Sequence, residues 1–88
     1  MIERDIPVIN SLGIHARPAS MIVETANKFK SAVTLEKDGI SADAKSIINV
    51  MMLAAAFKST VKVRASGEDE EEAVEAIARL FEEKFHEE

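Results

Sequence analysis

Hydrophobic residues along this chain switch repeatedly between a period of two and a period near 3.6, which restricts the fold more than any single motif. Ile2, Ile6 and Val8 alternate with Glu3, Asp5 and Pro7, predicting a first strand. Pro7 has no N–H for a ladder bond, so this strand belongs at a sheet edge. Asn10-Ser11-Leu12-Gly13 is loop chemistry. From Ala16 to about Lys30, the residues Ala19, Ile22, Val23, Ala26 and Phe29 recur at helical spacing. Pro18 falls in the first turn of that helix, where a missing N–H is tolerated. Val33 and Leu35 alternate with Thr34 and Glu36 as a second strand. Asp38-Gly39 then signals a two-residue hairpin into a short third strand from Ile40. Ser46 is placed to cap a second helix carrying Ile47, Val50, Met51 and Ala54. Val61, Val63 and Ala65 alternate with Lys62 and Arg64 as a fourth strand. Glu68 to Phe85 is predicted as the last helix, with Ala73, Ile77, Leu80 and Phe81 or Lys84 on one stripe.

The resulting order, β-α-β-β-α-β-α, is that of an α+β fold. It suits a four-stranded antiparallel sheet covered on one face by three helices. A ferredoxin-like arrangement shares nearly the same string up to the final helix, so local pattern leaves the strand order open. With 88 residues, one domain spanning 1–88 is expected. A domain of this size buries a bit over ~60% of its unfolded surface, leaving a small core and no deep cleft. The absence of cysteine excludes disulfides, thiolate ligands and cysteine nucleophiles. His15 and His86 are the only imidazoles, too few for a structural zinc site, and no metal or cofactor is expected. Glu3, Arg4 and Asp5 interrupt the start at once, so no secretory signal is read there. The longest apolar stretch, Ile47 to Phe57, is broken at Asn49 and falls short of the ~20 residues of a membrane span. A cytoplasmic protein without membrane insertion is the expectation.

Charge is distributed unevenly. Residues 1–67 carry nine Lys/Arg against six Asp/Glu, a balance of +3, whereas residues 68–88 carry two against ten, a balance of −8. The acidic excess thus sits in one C-terminal element, and the remainder suits an acidic protein partner or an anionic group. Without Trp, Tyr or a Lys/Arg run, nothing supports nucleic-acid binding.

Gly13-Ile14-His15-Ala16-Arg17-Pro18-Ala19-Ser20 carries the chemistry. His15 stands just before a helix whose first amides have no intrahelical acceptor. Those N–H groups and the helix dipole form a place for an anion such as a phosphoryl group, and one where imidazolium is disfavoured. Ala16 and Arg17 are the residues whose amides open that helix. Arg17 adds a permanent charge and planar donors suited to phosphate oxygens. Gly13 relaxes the loop so that the ring can be exposed. The plain alternative is a histidine that only caps a helix or covers surface, since short motifs also match by accident.

The segment from Leu12 to Ala19 resembles the active-site signature of HPr, the histidine phosphocarrier family of the bacterial phosphotransferase system. The likeness continues through Lys45-Ser46-Ile47 and Ala65-Ser66-Gly67-Glu68-Asp69-Glu70, and it covers essentially the whole chain. It implies an open-faced β-sandwich with strand order 1-4-2-3 and three helices on one side. It also implies a relay in which His15 accepts phosphoryl at Nδ1 from enzyme I, itself charged by phosphoenolpyruvate. The group would then pass to an enzyme IIA domain for sugar uptake. Arg17 matches the family arginine that positions and stabilises the phosphoryl group. Such a protein is a carrier, consumed and regenerated, rather than a free-standing catalyst.

Many HPr members carry glycine at the position of Asn49 and another near Ala54. The run Ile47-Ile48-Asn49-Val50-Met51-Met52-Leu53-Ala54 is more similar to the nitrogen-regulatory branch, NPr, which leaves the acceptor open. Ser46 reads as a helix N-cap. The resemblance adds a regulatory role, phosphorylation by an HPr kinase/phosphorylase, with a transcriptional regulator as a further partner. One helix cannot bury Ile47, Ile48 and Met51 together with Val50, so some of them form an exposed docking patch for enzyme I and its acceptor. Two other classes are weaker. A non-transferring regulatory module controlled at Ser46 resembles HPr relatives that lack the histidine, which this chain keeps. A free-standing hydrolase using His15 lacks a pocket and a second catalytic group. The acidic run Glu68 to Glu72 is expected to complement the last helix's N-terminus and do nothing more, and His86 receives no function.

Overall fold

The computed structural model describes residues 1–9, 13–53 and 58–86. Asn10, Ser11 and Leu12 of the expected loop, and Ala54 of the second helix, lie outside the described residues. The elements in chain order are β1 (Ile2–Pro7), α1 (Ala16–Ala26), β2 (Ala32–Lys37), β3 (Ile40–Asp43), α2 (Ile47–Met52), β4 (Thr60–Ser66) and α3 (Glu70–Glu82). A short 3-10 turn, Lys84–His86, follows. The strands form one sheet in the order β1-β4-β2-β3, with every neighbouring pair antiparallel. β1 lies at the edge, as Pro7 requires, and Pro7 stands opposite Thr60.

Alternation sorts the sheet's side chains into two faces. Ile6, Val33, Leu35, Ala42, Val61, Val63 and Ala65 are buried beneath the helices. Across the open face Arg64 of β4 links the two strands that flank it, β1 and β2, its Nε donating to Glu3 at 2.6 Å and a terminal nitrogen to Glu36 at 3.2 Å. The Arg64 hydrogen bond is the main reason the Glu3 carboxyl sits below its ordinary range. The helices contribute one stripe each. α1 buries Pro18, Ala19, Ile22 and Ala26, and α3 buries Ala73, Val74, Ile77, Ala78 and Phe81. Asp38 and Gly39 both take positive φ, +53° and +79°, the geometry of the tight hairpin between β2 and β3.

Two helices are shorter than periodicity suggests. α1 ends at Ala26 instead of Lys30, and Asn27 closes it by donating from Nδ2 to the Val23 carbonyl at 2.9 Å. The chain then leaves helical geometry because tertiary partners take its backbone groups. Asp69 accepts the Lys30 and Ser31 amides at 2.9 Å each and the Ser31 hydroxyl, while Lys45 Nζ donates to the Phe29 carbonyl at 2.9 Å. Phe29 still packs against the core, but from outside the helix. At the other end, α3 stops at Glu82. Lys84, Phe85 and His86 adopt left-handed φ of +54°, +54° and +62°, which folds the Phe85 ring into the core edge-on to Phe81 at 4.9 Å.

α3 also begins at Glu70 rather than Glu68, and its acidic start does more than complement a dipole. Asp69 is the N-cap residue, yet its carboxylate reaches across to Lys30 and Ser31 instead of capping its own helix. Glu70 accepts the Gly67 amide at 3.0 Å and pairs with the terminal ammonium of Met1 at 3.1 Å. Gly67, at φ +149°, brings the corner between β4 and α3 against Ser31. A Cβ there would meet the Ser31 Oγ at 2.6 Å and its Cα at 2.8 Å, so only glycine fits.

The Ser31 hydroxyl and the Lys30 and Ser31 amides hold the Asp69 carboxyl at about 2, below its ordinary 3.8. A depressed carboxyl stabilises the fold above its unfolded value and loses that contribution as pH falls through the folded one. Stability should therefore decline between about pH 4 and pH 2. Asp69→Asn should flatten that limb without abolishing it, because Glu3 and Glu70 are lowered too. Urea unfolding across this range checks the assignment; an equally steep limb in the variant would contradict it.

Candidate functional site

Ile14, buried beside the core, and Pro18 and Ala19, buried on α1, pin the chain on either side of His15. Gly13 turns into this segment at φ +69°. His15 itself is extended, at φ −109° and ψ −165°, and occupies the N-cap of α1. Its carbonyl accepts the Ala19 amide at 2.9 Å, closing the first helical turn. The half-buried imidazole makes no side-chain cap to the helix, so the plain capping role is not adopted.

The first turn of α1 holds three positions before that hydrogen bond. Pro18 has no N–H, so the amides that open the helix belong to Ala16 and Arg17, both exposed. The three helix starts differ in charge. The first turn of α3 carries Glu70, Glu71 and Glu72, whereas that of α1 carries no acidic residue. α2 is capped by the Ser46 hydroxyl, which accepts the Asn49 amide at 3.4 Å. The positive end of α1 thus stands uncompensated in its own first turn, next to an imidazole and an exposed guanidinium. Such a site can place an anion against two amides and a permanent cation, within reach of a ring nitrogen.

α2 packs against α1 and β3. Val50 is fully buried, whereas Ile47, Ile48 and Met51 are 40%, 69% and 45% exposed. These three are surface, not core, and Met52, at 72%, extends their patch. The sequence signal for Met52 is its place one turn from Ile48. A shallow cavity of about 230 Å³ lies between β1 and the end of α3, lined by Arg4, Ile6, Pro7, Ile9, Phe81 and neighbours. None of the candidate residues borders it. Among the described residues no cluster of three His, Asp or Glu could hold a metal ion, and no helix is long and apolar enough to cross a membrane.

The family model described as the PTS HPr component phosphorylation site matches residues 2–83. Phosphocarrier protein HPr of Xylella fastidiosa is 45% identical over 87 residues, covering 99% of this chain and 98% of that protein. The chain belongs to the HPr phosphocarrier family. The crystal structure of HPr-C-His from Thermoanaerobacter tengcongensis superposes with a TM-score of 0.96 at 46% identity, covering 100% of this chain and 99% of that one. The sheet order is the one expected of HPr, which excludes the ferredoxin-like alternative. Phosphocarrier protein NPr of Proteus mirabilis is 44% identical over 85 residues, 96% of this chain and 94% of that protein. Identity to HPr and NPr proteins is therefore nearly equal.

At 3.4 Å the Ser46 cap is long for a hydrogen bond. Ser46→Ala should cost about 0.5–1 kcal/mol, the lower part of the range for N-caps. Denaturant titration reads this directly, and a loss well above that range would show that Ser46 holds more than the helix start.

Proposed function

We propose that this HPr-family protein carries phosphoryl groups in the phosphoenolpyruvate-dependent phosphotransferase system. His15 accepts the group from enzyme I and passes it to an enzyme IIA domain for sugar uptake. The observation that carries this reading is the α1 N-terminus, which lacks carboxylates in its first turn and sets the Ala16 and Arg17 amides beside His15. In the transfer, the His15 Nδ1 lone pair forms a new N–P bond as the bond to the donor histidine of enzyme I breaks. Charge on the phosphoryl oxygens is met by the two amides and by the Arg17 guanidinium. Phosphoryl transfer needs chiefly alignment and charge stabilisation, and the larger partner supplies the alignment. The exposed apolar face of α2 supports docking beside the site.

The nitrogen-regulatory branch is a second reading, favoured by Asn49 where many HPr members carry glycine and by the likeness to NPr. Carrier chemistry at His15 is the same in both; only the acceptor differs. Regulation at Ser46 fits either. Phosphate there would carry close to two negative charges at the start of α2, beside the apolar face, and would repel an acidic enzyme I.

With phosphoenolpyruvate and enzyme I, the protein should gain one acid-labile, alkali-stable phosphate, and His15→Ala should abolish it while the fold persists. Labelling that survives in the variant would sink the assignment. Arg17→Ala should slow transfer by about one to three orders of magnitude, about 1.4–4 kcal/mol in barrier, with unfolding unchanged. Ile48→Asp, at an exposed position, should weaken association with enzyme I and the acceptor without loss of stability; if the chain unfolds instead, Ile48 belongs to the core. Incubation with an HPr kinase and ATP should phosphorylate Ser46 and slow transfer to His15. A serine left unmodified, or modified without effect on the rate, would retain its capping role alone.

A further inference from the structure

The chain contains four methionines and no Cys, Trp or Tyr. Thioethers are therefore its readily oxidised side chains. Met21 is partly buried and packs against the core, whereas Met1, Met51 and Met52 are 70%, 45% and 72% exposed. Two of these three stand side by side on α2, while Val50 before them points into the core. Met51 lies one helical turn from both Ile47 and Ile48, and Met52 one turn from Ile48. The four form one apolar face, half of it sulfur-bearing.

We propose that Met51 and Met52 are a reversible oxidation site that switches this face between an apolar and a polar state, and so controls docking of the carrier. The inference rests on the docking role given to α2 above. With hydrogen peroxide as oxidant, the thioether sulfur attacks one peroxide oxygen and the O–O bond breaks. An S=O bond forms and water leaves, sulfur losing two electrons and peroxide gaining them. Reversal by methionine sulfoxide reductases uses two thiols, which become a disulfide as the oxygen leaves as water. Neither residue belongs to the hydrophobic core, so the fold is unaffected. The sulfoxide oxygen does acquire a desolvation penalty on contact with a partner, where the thioether had gained from burial. No charge is introduced, which separates this device from phosphorylation at Ser46.

The test compares peroxide-treated and untreated full-length chain. Peptide mass spectrometry reads the sulfoxide fraction at each methionine, and thermal unfolding reads the fold. Label uptake is measured from phosphorylated enzyme I and, separately, from phosphoramidate, a small donor that needs no docking face. Met51 and Met52 should oxidise alongside Met1 and ahead of Met21, with an unchanged unfolding midpoint. Transfer from enzyme I at sub-saturating carrier should fall roughly tenfold, as for loss of an interface anchor. Labelling by phosphoramidate should persist, and the two reductases with dithiothreitol should restore the enzyme I rate. In a Met51→Leu, Met52→Leu chain the treated-to-untreated ratio should stay near one, whatever its own starting rate. Unoxidised Met51 and Met52, an undiminished enzyme I rate, an equal loss in the leucine chain, or a loss shared by phosphoramidate would each overturn the proposal. Failure of untreated protein to accept label from enzyme I is a different result. It would remove the carrier reading, and this inference with it.

Discussion

The Asp69 carboxylate joins two segments that the chain separates by nearly forty residues. It accepts two consecutive amides, from Lys30 and Ser31, together with the Ser31 hydroxyl. Those groups belong to the strand-entry segment that follows α1, while Asp69 opens α3. One side chain therefore fixes where α1 releases the chain into β2 and where α3 leaves β4. Gly67 permits the approach, since any side chain there would collide with Ser31. With its far end held in this way, and with Ala19, Ile22 and Ala26 packed into the core, α1 has little freedom to move. The placement of α1 thus rests on contacts at its far end as well as on Ile14, Pro18 and Ala19 beside His15.

That rigidity is what a small carrier needs. The cavity between β1 and the end of α3 does not include His15. What the fold provides is a fixed helix start whose dipole is not offset by acidic residues in its first turn. The contrast with α3 is instructive, because the same backbone feature there is neutralised by three consecutive glutamates. The two helix starts thus differ in the charge the sequence sets in their first turns. α2, packed beside α1, leaves Ile47, Ile48, Met51 and Met52 exposed as an apolar face.

The sheet was legible because strand alternation and turn chemistry are local. Ile2 to Pro7, Asp38-Gly39 and Val61 to Ala65 each announce their structure within a few residues. Strand order was not local, since β4 inserts between β1 and β2 through pairings that periodicity cannot register. It came instead from the family likeness. Periodicity overruns both helix ends for one physical reason: Phe29 and Phe85 fall at helical spacing, but turns that tertiary contacts stabilise pack Phe29 against the core and bury Phe85 in it. The bridging role of Asp69 was invisible because its partners are distant in sequence, and a carboxylate before a helix already has a local explanation. At the site, His15, Ala16 and Arg17 are contiguous, so their juxtaposition could be read directly. The exposure of Met52 is not legible locally, because a short apolar run does not show which of its members will be turned to solvent.

The central claim is that His15 receives phosphoryl at Nδ1 with the α1 amides as its cradle. Nitrogen-15 and phosphorus-31 NMR of the protein phosphorylated by enzyme I tests it most directly. The account predicts one-bond nitrogen–phosphorus coupling at His15 Nδ1, together with downfield shifts of the Ala16 and Arg17 amide protons that reverse on dephosphorylation. Coupling at another residue, or coupling at His15 with those two amides unmoved, would contradict it.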